Sequence, residues 1–415
     1  MPSGSQVFAY VIGLVGSTGT FYRLDASGTP HPLAASDNTQ KAGTFPGSSG
    51  LSAAAASALT PNYPQAWADY SIPVSLTSAT KISLANINPT TMLGLGTGTS
   101  AFSGRIYISV GVPRLPFTVQ AGGYTAPVFT TQPGYLTLFD WIEFSYDSLG
   151  NFNGNTTQVD QFGFSLMLDG TPGGTLQGVL TASRSTIMNA AVKAVSAFGS
   201  ATLSVAVPAA AASAYPAGLN LLRVVSPKTA NASGSFSTYF DAAIGAAYTK
   251  WQTTPLVTHE QSTSAYYTGY VPASGPNAGV LVFVSGNHPT LADASSQPTA
   301  FAVPAAGGVI PTNDVWQCAN SLASGSADQK NVQKQIAAMF NRGLLSTLLD
   351  DAACPDPVTF YPPGSSSNLW AHTFHTSSLN RLAYGFPYDD VCNRNPSISL
   401  TSTASVTITL GKFFS

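Results

Sequence analysis

The sequence predicts a mainly β protein that carries an α+β insertion, that is, a β-sandwich or barrel combined with a mixed α/β domain. Residues 1–178 contain short apolar runs separated by clusters of Gly, Pro, Asn and Ser, which is typical of an all-β domain. Residues 179–380 add apolar residues at helical spacing. Residues 381–415 end in alternating Thr and Val or Ile. We therefore expect a β domain over 1–178, an inserted domain over 179–380, and a return to the β domain over 381–415.

Apolar runs in the first segment predict strands, because side chains on a strand alternate between two faces. The predicted strands are Val7–Ile12, Thr20–Leu24, Gly104–Val110 and Tyr135–Phe139. The wider stretch Val7–Val15 is apolar, but it follows no basic residues and precedes turn residues. We interpret it as a strand and not as a signal peptide, and we expect the sequence to be the mature form of a secreted protein.

The middle of the chain alternates between helical and extended patterns, and the tail is extended. The predicted helices are Ser183–Phe198, Ser237–Trp251 and Ala327–Leu349, and the predicted strands are Leu221–Val225, Gly279–Val284 and those within Ser397–Leu410. A β tail that follows an α/β insertion is expected to rejoin the first sheet.

Few residues of the chain are charged. Charged residues make up 8% of the sequence, compared with about 25% in an average soluble protein. The 16 Lys and Arg residues form no runs, and the net charge is −2. This argues against nucleic acid or an anionic membrane surface as a partner. No stretch reaches the roughly 18 uninterrupted apolar residues of a membrane helix. The low charge favours a neutral ligand, and we expect a secreted monomer.

The chain contains three cysteines, Cys318, Cys354 and Cys392, without a C-x-x-C motif or a Cys/His ligand spacing. A structural zinc site is therefore not expected. One disulfide with one free thiol and three free thiols are both open at this point. For the disulfide, we predict that Cys318 pairs with Cys354, because the two bracket the third predicted helix, and that Cys392 stays free.

Glu143 and Glu260 are the two glutamates of the chain, and Glu143 lies in a stretch where carboxylates alternate with aromatic residues. On a strand, Trp141, Glu143 and Ser145 would share one face. Asp160 has a similar setting, so two adjacent strands would present Glu143 and Asp160 to one cleft. Paired carboxylates are what glycoside hydrolysis needs. The structural alternative is that the two acids merely pair with nearby arginines.

Two long blocks of the sequence resemble glycoside hydrolase family 64, the endo-β-1,3-glucanases. They are Trp141–Ser145 continuing through Thr157–Phe164, and Leu382–Val391 followed by Thr407–Leu410. Supporting matches are Ser183-Arg184, Arg223–Pro227, Cys318 and Met339–Gly343. The resemblance implies an inverting enzyme that cuts β-1,3-glucan into short oligosaccharides without a cofactor or a metal ion.

The same blocks also resemble thaumatin-like proteins, in which a β-barrel carries an acidic cleft that faces β-1,3-glucan. Ser103–Tyr107, Glu143-Phe144 and Asp389-Asp390 match parts of that cleft. Two features differ: Asn155 stands where thaumatin-like proteins usually have another aspartate, and their dense cysteine framework is absent. The two resemblances together imply a thaumatin-like β-sandwich or barrel, an inserted mixed α/β domain, and a wide groove between them.

By motif match, the catalytic pair of family 64 falls on Glu143 and Asp160. Glu143 would be the general acid that protonates the departing oxygen, and Asp160 the base that activates a water. An inverting enzyme needs room for that water, so we predict about 6.5–9.5 Å between the two carboxyl groups.

The candidate substrate-binding residues are polar or aromatic side chains near the two acids. They are Asn155, Thr156 and Gln158 as hydrogen-bonding groups, Phe152, Tyr384 and Tyr388 as stacking surfaces, and Asp389 as a groove-lining acid. Each has a structural alternative, since Asn and Thr form turns, aromatic residues fill cores, and Asp caps turns. His372 and His375 are interpreted as hydrogen-bonded structural residues and not as metal ligands.

Two other functions were weighed against hydrolysis of glucan. The first is a non-catalytic glucan-binding or defence protein of thaumatin type, against which the presence of both Glu143 and Asp160 and the large insertion argue. The second is a serine esterase or protease, which needs a G-x-S-x-G turn that the sequence lacks.

Overall fold

The fold was analysed in a computed structural model. It describes residues 6–16, 18–41, 51–88, 102–128, 134–171, 176–198, 204–231, 234, 236–260, 265–345, 354–401 and 405–413. The protein is mostly β with some helices. Over these residues, no helix is both long and apolar enough to span a bilayer.

The strands occupy both ends of the chain and part of its middle. They are β1 (Val7–Val15), β2 (Thr20–Leu24), β3 (Pro30–Pro32), β4 (Gln40–Lys41), β5 (Ala66–Trp67), β6 (Ile72–Val74), β7 (Phe102–Val110), β8 (Thr118–Gln120), β9 (Gly123–Thr125), β10 (Leu138–Tyr146), β11 (Phe152–Thr156), β12 (Gln161–Phe162), β13 (Leu166–Thr171), β14 (Ser204–Ala206), β15 (Leu221–Val225), β16 (Leu256–Glu260), β17 (Ala265–Tyr270), β18 (Leu281–Ser285), β19 (Thr299–Val303), β20 (Ser397–Leu400) and β21 (Ser405–Leu410).

Most of the helices lie between residues 184 and 377. They are α1 (Ala53–Leu59), α2 (Arg184–Ser196), α3 (Pro227–Ala230), α4 (Asp241–Trp251), α5 (Leu291–Ser295), α6 (Thr312–Gln317), α7 (Ala327–Asn341) and α8 (Leu369–Ser377).

The largest sheet is antiparallel, with the strand order β20-β11-β10-β7-β1-β2-β3, and β6 also pairs with β1. It is open over the described residues and is not closed into a barrel. Its central strands are rich in β-branched and aromatic residues, which pack well on a pleated surface. As predicted, the tail returns to the β region: β20 joins this sheet, and β21 pairs with β13.

The two faces of the large sheet pack in separate cores. Ile142 and Phe144 of β10 belong to one apolar cluster, whereas Trp141 belongs to a second cluster with Tyr107 and Tyr10. The predicted alternation along β10 is therefore confirmed. Because residues two apart on one strand point to the same face, the side chain of Glu143 lies on the Trp141 face.

A further large core is built from the middle of the chain. It extends from residue 162 to residue 392 and includes Trp251, Trp316 and Trp370. The segment from Ala211 to Leu222 instead packs with the first sheet. Residues 383–392 pack with the middle core, so the chain crosses back to the first sheet just before β20.

Several predicted elements begin later or end earlier than the sequence indicated. The strand predicted at Tyr135 begins at Leu138, and the helix predicted at Ser237 begins at Asp241, after a series of turns. Helix α7 ends at Asn341, because Gly343 adopts a positive φ of 71° that an α-helix does not accept. The last residues of the predicted helix, 346–349, lie outside the described residues.

The predicted disulfide is wrong. Cys354 pairs with Cys392, with their Cα atoms 5.8 Å apart, and Cys318 is a free, buried thiol. Cys318 lies at the end of α6 inside the middle core. The fold brings Cys392 to Cys354 although 38 positions separate them in the sequence. The positions of the cysteines relative to the predicted helix therefore did not indicate which two of them form the disulfide.

Candidate active site

Glu143 lies at the centre of the large sheet, on the face shared with Trp141. It is directly opposite Arg105 on β7 and Asn155 on β11. Arg105 Nη2 donates to Glu143 Oε1 at 3.0 Å, and its guanidinium lies 5.0 Å from the centre of the Trp141 ring. The side chains of Arg105 and Glu143 are 33% and 34% exposed, so the pair is open to a ligand while the strands hold it in place.

Asp160 lies in a bend just before β12 and not on a strand next to β10, as the sequence analysis expected. The strands adjacent to β10 are β11 and β7, and β12 pairs with β15. The side chain of Asp160 accepts from Lys228 Nζ at 2.7 Å and from Thr229 Oγ1 at 3.0 Å. Both partners belong to the short helix α3, so the middle of the chain positions this carboxylate.

The α3 helix is docked on the backbone around Asp160. Ser226 is its N-cap, and the Ser226 hydroxyl accepts from the backbone N–H of Thr229. The same hydroxyl donates to the carbonyl of Val159 at 2.6 Å, and the Ser226 N–H donates to the carbonyl of Asp160 at 2.9 Å. One serine therefore starts the helix and fixes the segment that carries the acid.

Two contacts tie the Asp160 segment to the strand of Glu143. Gln161 Nε2 donates to the carbonyl of Phe139 at 2.8 Å, and the N–H of Gly163 donates to Asp140 Oδ2 at 2.8 Å. Position 163 requires glycine, because a Cβ atom there would overlap the carbonyl oxygen of Phe139. These contacts keep the two candidate acids in a fixed relation.

Arg105 interacts electrostatically with both candidate acids. Burial lowers the pKa of its guanidinium, but the neighbouring Tyr107, Glu143 and Asp160 outweigh this, so the pKa of Arg105 lies above its ordinary value. Arg105 therefore stays charged beside Glu143. The strand that carries Arg105 was predicted, but no role was predicted for this residue. Alternation along β7 could have indicated one, because Arg105 is two residues from Tyr107 and shares its face.

Asp140 is a buried acid that the sequence analysis did not assign. Its side chain is surrounded by protein and accepts from the N–H groups of Trp141, Gly163 and Phe164. Burial raises the pKa of Asp140 to about 7, although these hydrogen bonds and the nearby Arg223 act in the opposite direction. Asp140 therefore links the strand of Glu143 to the segment of Asp160.

The turn around Tyr384 brings a further group to the site. The Tyr384 carbonyl accepts from the N–H of Gln158 at 2.8 Å, and the Gln158 carbonyl accepts from Trp370 Nε1 at 2.8 Å. Burial, then the charges of Asp390 and Glu143, raise the pKa of Tyr384. The predicted residue Tyr384 is thus close to Glu143, whereas Gln158 is buried and contacts the Tyr384 turn through its backbone.

Tyr388 is half-buried, and Lys334 Nζ lies 4.8 Å from the centre of its ring. One face of the Tyr388 ring is therefore in contact with a cation.

Asp389 does not line a groove. It is fully buried and accepts from Arg342 Nη2 at 3.1 Å and from the N–H of Gly385 at 2.9 Å. Asp389 Oδ2, the oxygen that accepts from Gly385, also lies 2.9 Å from His375 Nε2. Asp389 instead holds the turn that contains Tyr384, and the structural interpretation of His375 agrees with this arrangement.

The predicted residues of β11 separate by face. Asn155 is half-buried directly opposite Glu143, and Asn153 occupies the same face two residues earlier. Phe152 and Thr156 are 3% and 2% exposed and point into the other core, where Phe152 stacks on Phe144. Neither side chain reaches the surface of Glu143, so the predicted stacking and hydrogen bonding by these two residues have no support in the fold.

Short polar side chains continue the Glu143 face in two parallel rows. The first row contains Arg105, Glu143, Asn155 and Ser397. The row next to it contains Ser103, Ser145, Asn153 and Ser399. Hydroxyl, amide and carboxylate groups on a rigid sheet suit the many hydroxyls of a sugar chain.

The comparisons with known proteins agree with this chemistry. A sequence model of the family described as Beta-1,3-glucanase, glycoside hydrolase family 64, matches residues 1–410. The chain therefore belongs to the β-1,3-glucanases of glycoside hydrolase family 64. No curated protein sequence matches the chain significantly.

Solved structures show the same fold. A laminaripentaose-producing β-1,3-glucanase in complex with laminaritetraose is 24% identical, with a TM-score of 0.69 over 99% of this chain and 95% of the other. A β-1,3-glucanase domain from Clostridium beijerinckii is 23% identical, with a TM-score of 0.68 over 98% and 93%. A laminaripentaose-producing enzyme from Paenibacillus barengoltzii is 20% identical, with a TM-score of 0.54 over 98% and 71%.

Proposed function

We propose that this β-1,3-glucanase cuts β-1,3-glucan internally into short oligosaccharides, with Glu143 as the general acid and Asp160 as the general base of an inverting mechanism. The observation that carries the proposal is that Arg105 donates to Glu143 on the polar face of the sheet and also interacts electrostatically with Asp160. We further propose a thaumatin-like architecture for the β part, and a monomer that acts outside the cell, where polymeric glucan is found.

The contacts of the two acids define their roles. Asp160 accepts from Lys228 Nζ and Thr229 Oγ1 at Oδ1, and these contacts hold the carboxylate in place to take a proton from water. Arg105 donates to Oε1 of Glu143, and no hydrogen bond to Oε2 occurs within the described part of the chain. Oε2 is therefore the oxygen that carries the proton toward the glycosidic oxygen.

The reaction follows from these roles. Glu143 donates its proton to the departing oxygen while Asp160 removes a proton from the water that attacks the anomeric carbon. The carbon–oxygen bond of the glycoside breaks, and a new one forms on the opposite face. Glu143 ends as a carboxylate and Asp160 as a carboxylic acid, and proton exchange with solvent restores both. Arg105 stabilises the carboxylate that remains on Glu143 after the transfer.

The test is release of soluble oligosaccharides from particulate β-1,3-glucan by the wild-type protein and by Glu143→Gln and Asp160→Asn. Each substitution removes one proton-transfer group and should lower turnover about 10²–10⁴-fold. Asp169→Asn, which changes a half-buried acid on β13, is the matched control and should leave turnover unchanged. A wild-type protein that binds the glucan without cutting it would favour the non-catalytic alternative.

Proton NMR of the first products decides the stereochemistry. Initial appearance of the α-anomer is expected for inversion of a β-linkage. Initial appearance of the β-anomer would overturn the inverting mechanism while leaving the substrate assignment in place.

A further inference from the structure

A pocket of about 340 Å³ lies at the β2 side of the large sheet, away from the candidate acids. We name it the Arg23 pocket; its lining includes Arg23, Asp25, Asp37, Gln40, Asp69 and Tyr70. Its volume is at the lower end of the roughly 300–1,000 Å³ that small-molecule sites occupy. It has room for one or two sugar rings.

The polar groups of the Arg23 pocket are held in place before any ligand arrives. Asp37 Oδ2 accepts from the hydroxyl of Tyr70 at 2.7 Å, and Asp69 Oδ2 accepts from Arg114 at 3.1 Å. Asp25 Oδ1 accepts from the backbone N–H groups of its own turn. Carboxylates fixed in this way lose little freedom when they accept further hydrogen bonds from a ligand.

Arg23 supplies donors beside these acceptors. Its guanidinium lies 4.9 Å from the centre of the Tyr70 ring, and its buried Nε has no hydrogen-bond partner among the described residues. Three carboxylates make the pocket unfavourable for an anion. Arg23, and Arg114 bound to Asp69, offset most of that charge, so a cation gains little. The remaining ligand class is a neutral polyhydroxy compound, which can donate to Asp37 and accept from Arg23.

The position of the pocket relates it to the candidate acids. Arg23 is opposite Ile12, Ile12 is opposite Arg105, and Arg105 is opposite Glu143. All four side chains therefore point to the same face of one sheet. Three strand spacings separate Arg23 from Glu143, about 14 Å across the sheet.

The two sites are distinct. Between them lies the β8–β9 hairpin, where Tyr124 packs against the ring of Phe21 and approaches the hydroxyl of Tyr107.

From this geometry we propose that the Arg23 pocket is a second carbohydrate-binding site, which holds a glucosyl segment of the β-1,3-glucan while another part of the polymer occupies the site of Glu143 and Asp160. The ligand assignment rests on the proposed function. A second contact on the same face raises the local concentration of a particulate polymer at the acids without taking part in the chemistry.

The direct test is calorimetric titration of the Glu143→Gln protein with a soluble β-1,3-linked glucose hexasaccharide. A second equivalent should bind, and adding Asp37→Asn or Arg23→Gln should weaken that equivalent at least about tenfold, since each removes a charged hydrogen-bonding group. Adding Asp169→Asn as the control should change neither equivalent. Thermal unfolding of each variant checks that the fold is retained.

Activity supplies the second arm of the test. Asp37→Asn alone should slow the release of sugar from particulate glucan several-fold and leave hydrolysis of the soluble hexasaccharide within about twofold of wild type. A single equivalent in the Glu143→Gln titration would overturn the proposal. So would two equivalents that survive both pocket substitutions, or a preference of the pocket for a β-1,4-linked hexasaccharide.

The two proposals fail separately. If the wild-type protein does not cut β-1,3-glucan, a binding equivalent that is lost with Asp37→Asn still identifies the pocket as a β-1,3-glucan site. If the protein cuts glucan and binds one equivalent, the pocket assignment alone is wrong.

Discussion

At the scale of single residues, Lys228 is the charged partner of Asp160, since its ammonium lies 2.7 Å from the carboxylate in a partly buried setting. Lys228→Met should lower turnover about 10–100-fold, since it removes a charged hydrogen-bond donor that holds the Asp160 carboxylate in position. Lys228→Arg should restore part of the loss. The measurement is kcat and KM on soluble oligosaccharide; a Met variant with unchanged kcat would show that Lys228 has no part in positioning the base.

The raised pKa of Asp140 leads us to expect that the stability of the fold depends on pH. Its pKa is raised by burial to about 7 in the fold, whereas an unfolded chain releases this proton near pH 4. The folded protein therefore binds more protons between these values, and the contribution of Asp140 to stability falls as pH rises, by at most about 1.4 kcal/mol per pH unit. Asp140→Asn removes this contribution.

Urea unfolding midpoints at about pH 4.5 and 7.5 check the Asp140 prediction. The wild-type protein should lose more stability across this interval than Asp140→Asn, and Asp169→Asn should follow the wild type. Parallel pH curves for the wild type and the Asp140 variant would show that Asp140 is already ionised in the fold.

Single residues differ in how well the sequence reports them. Alternation along β10 correctly predicted the face of Glu143, whereas the strand setting predicted for Asp160 was wrong. Lys228 was missed because it approaches Asp160 from 68 positions away. Phe152 was misplaced for a simpler reason. Alternation within β11 puts it on the face opposite Asn155, and stacking on a sugar requires the face of Glu143.

At the scale of elements, the Cys354–Cys392 disulfide closes a loop in the middle core across 38 positions. In the chain-entropy account, a loop of this length contributes about 3–4 kcal/mol to stability. Cys354→Ser should lower the free energy of unfolding by that order. Cys318→Ala, which truncates a buried thiol outside the bond, is the control and should cost less.

Mass spectrometry after alkylation checks the pairing itself. Under native conditions Cys318 should react slowly, because burial raises the pKa of its thiol and shields it. In denaturant without reductant, one alkylated residue, Cys318, is expected. Alkylation of Cys354 or Cys392 under those conditions would contradict the bond.

The predicted elements are among the longer ones of the fold, whereas many of the short strands and helices were not predicted. β2 and β15 follow the predicted bounds, because turn residues on both sides define each of them. The start of α4 was misjudged because apolar residues of the preceding turns continue the helical spacing without helical backbone. Which strands become neighbours depends on contacts between distant segments, and local patterns do not encode these.

At the scale of the whole molecule, low charge predicts weak dependence on salt. The chain has 16 basic and 18 acidic residues, and its substrate is neutral, so little long-range attraction exists to be screened. The kcat/KM on soluble oligosaccharide should change less than about twofold between 0.02 and 0.5 M NaCl. A steep decline would indicate that charged groups guide the substrate.

The pairing of β20 with β11 and of β21 with β13 has a consequence for the order of synthesis. On the ribosome, the strands near Glu143 emerge about 250 residues before their last partners. The middle core, by contrast, has all of its residues by position 392. The nascent chain therefore holds an unpaired β11 edge until the tail appears, and the glucan-facing sheet is the last part of the molecule to be completed.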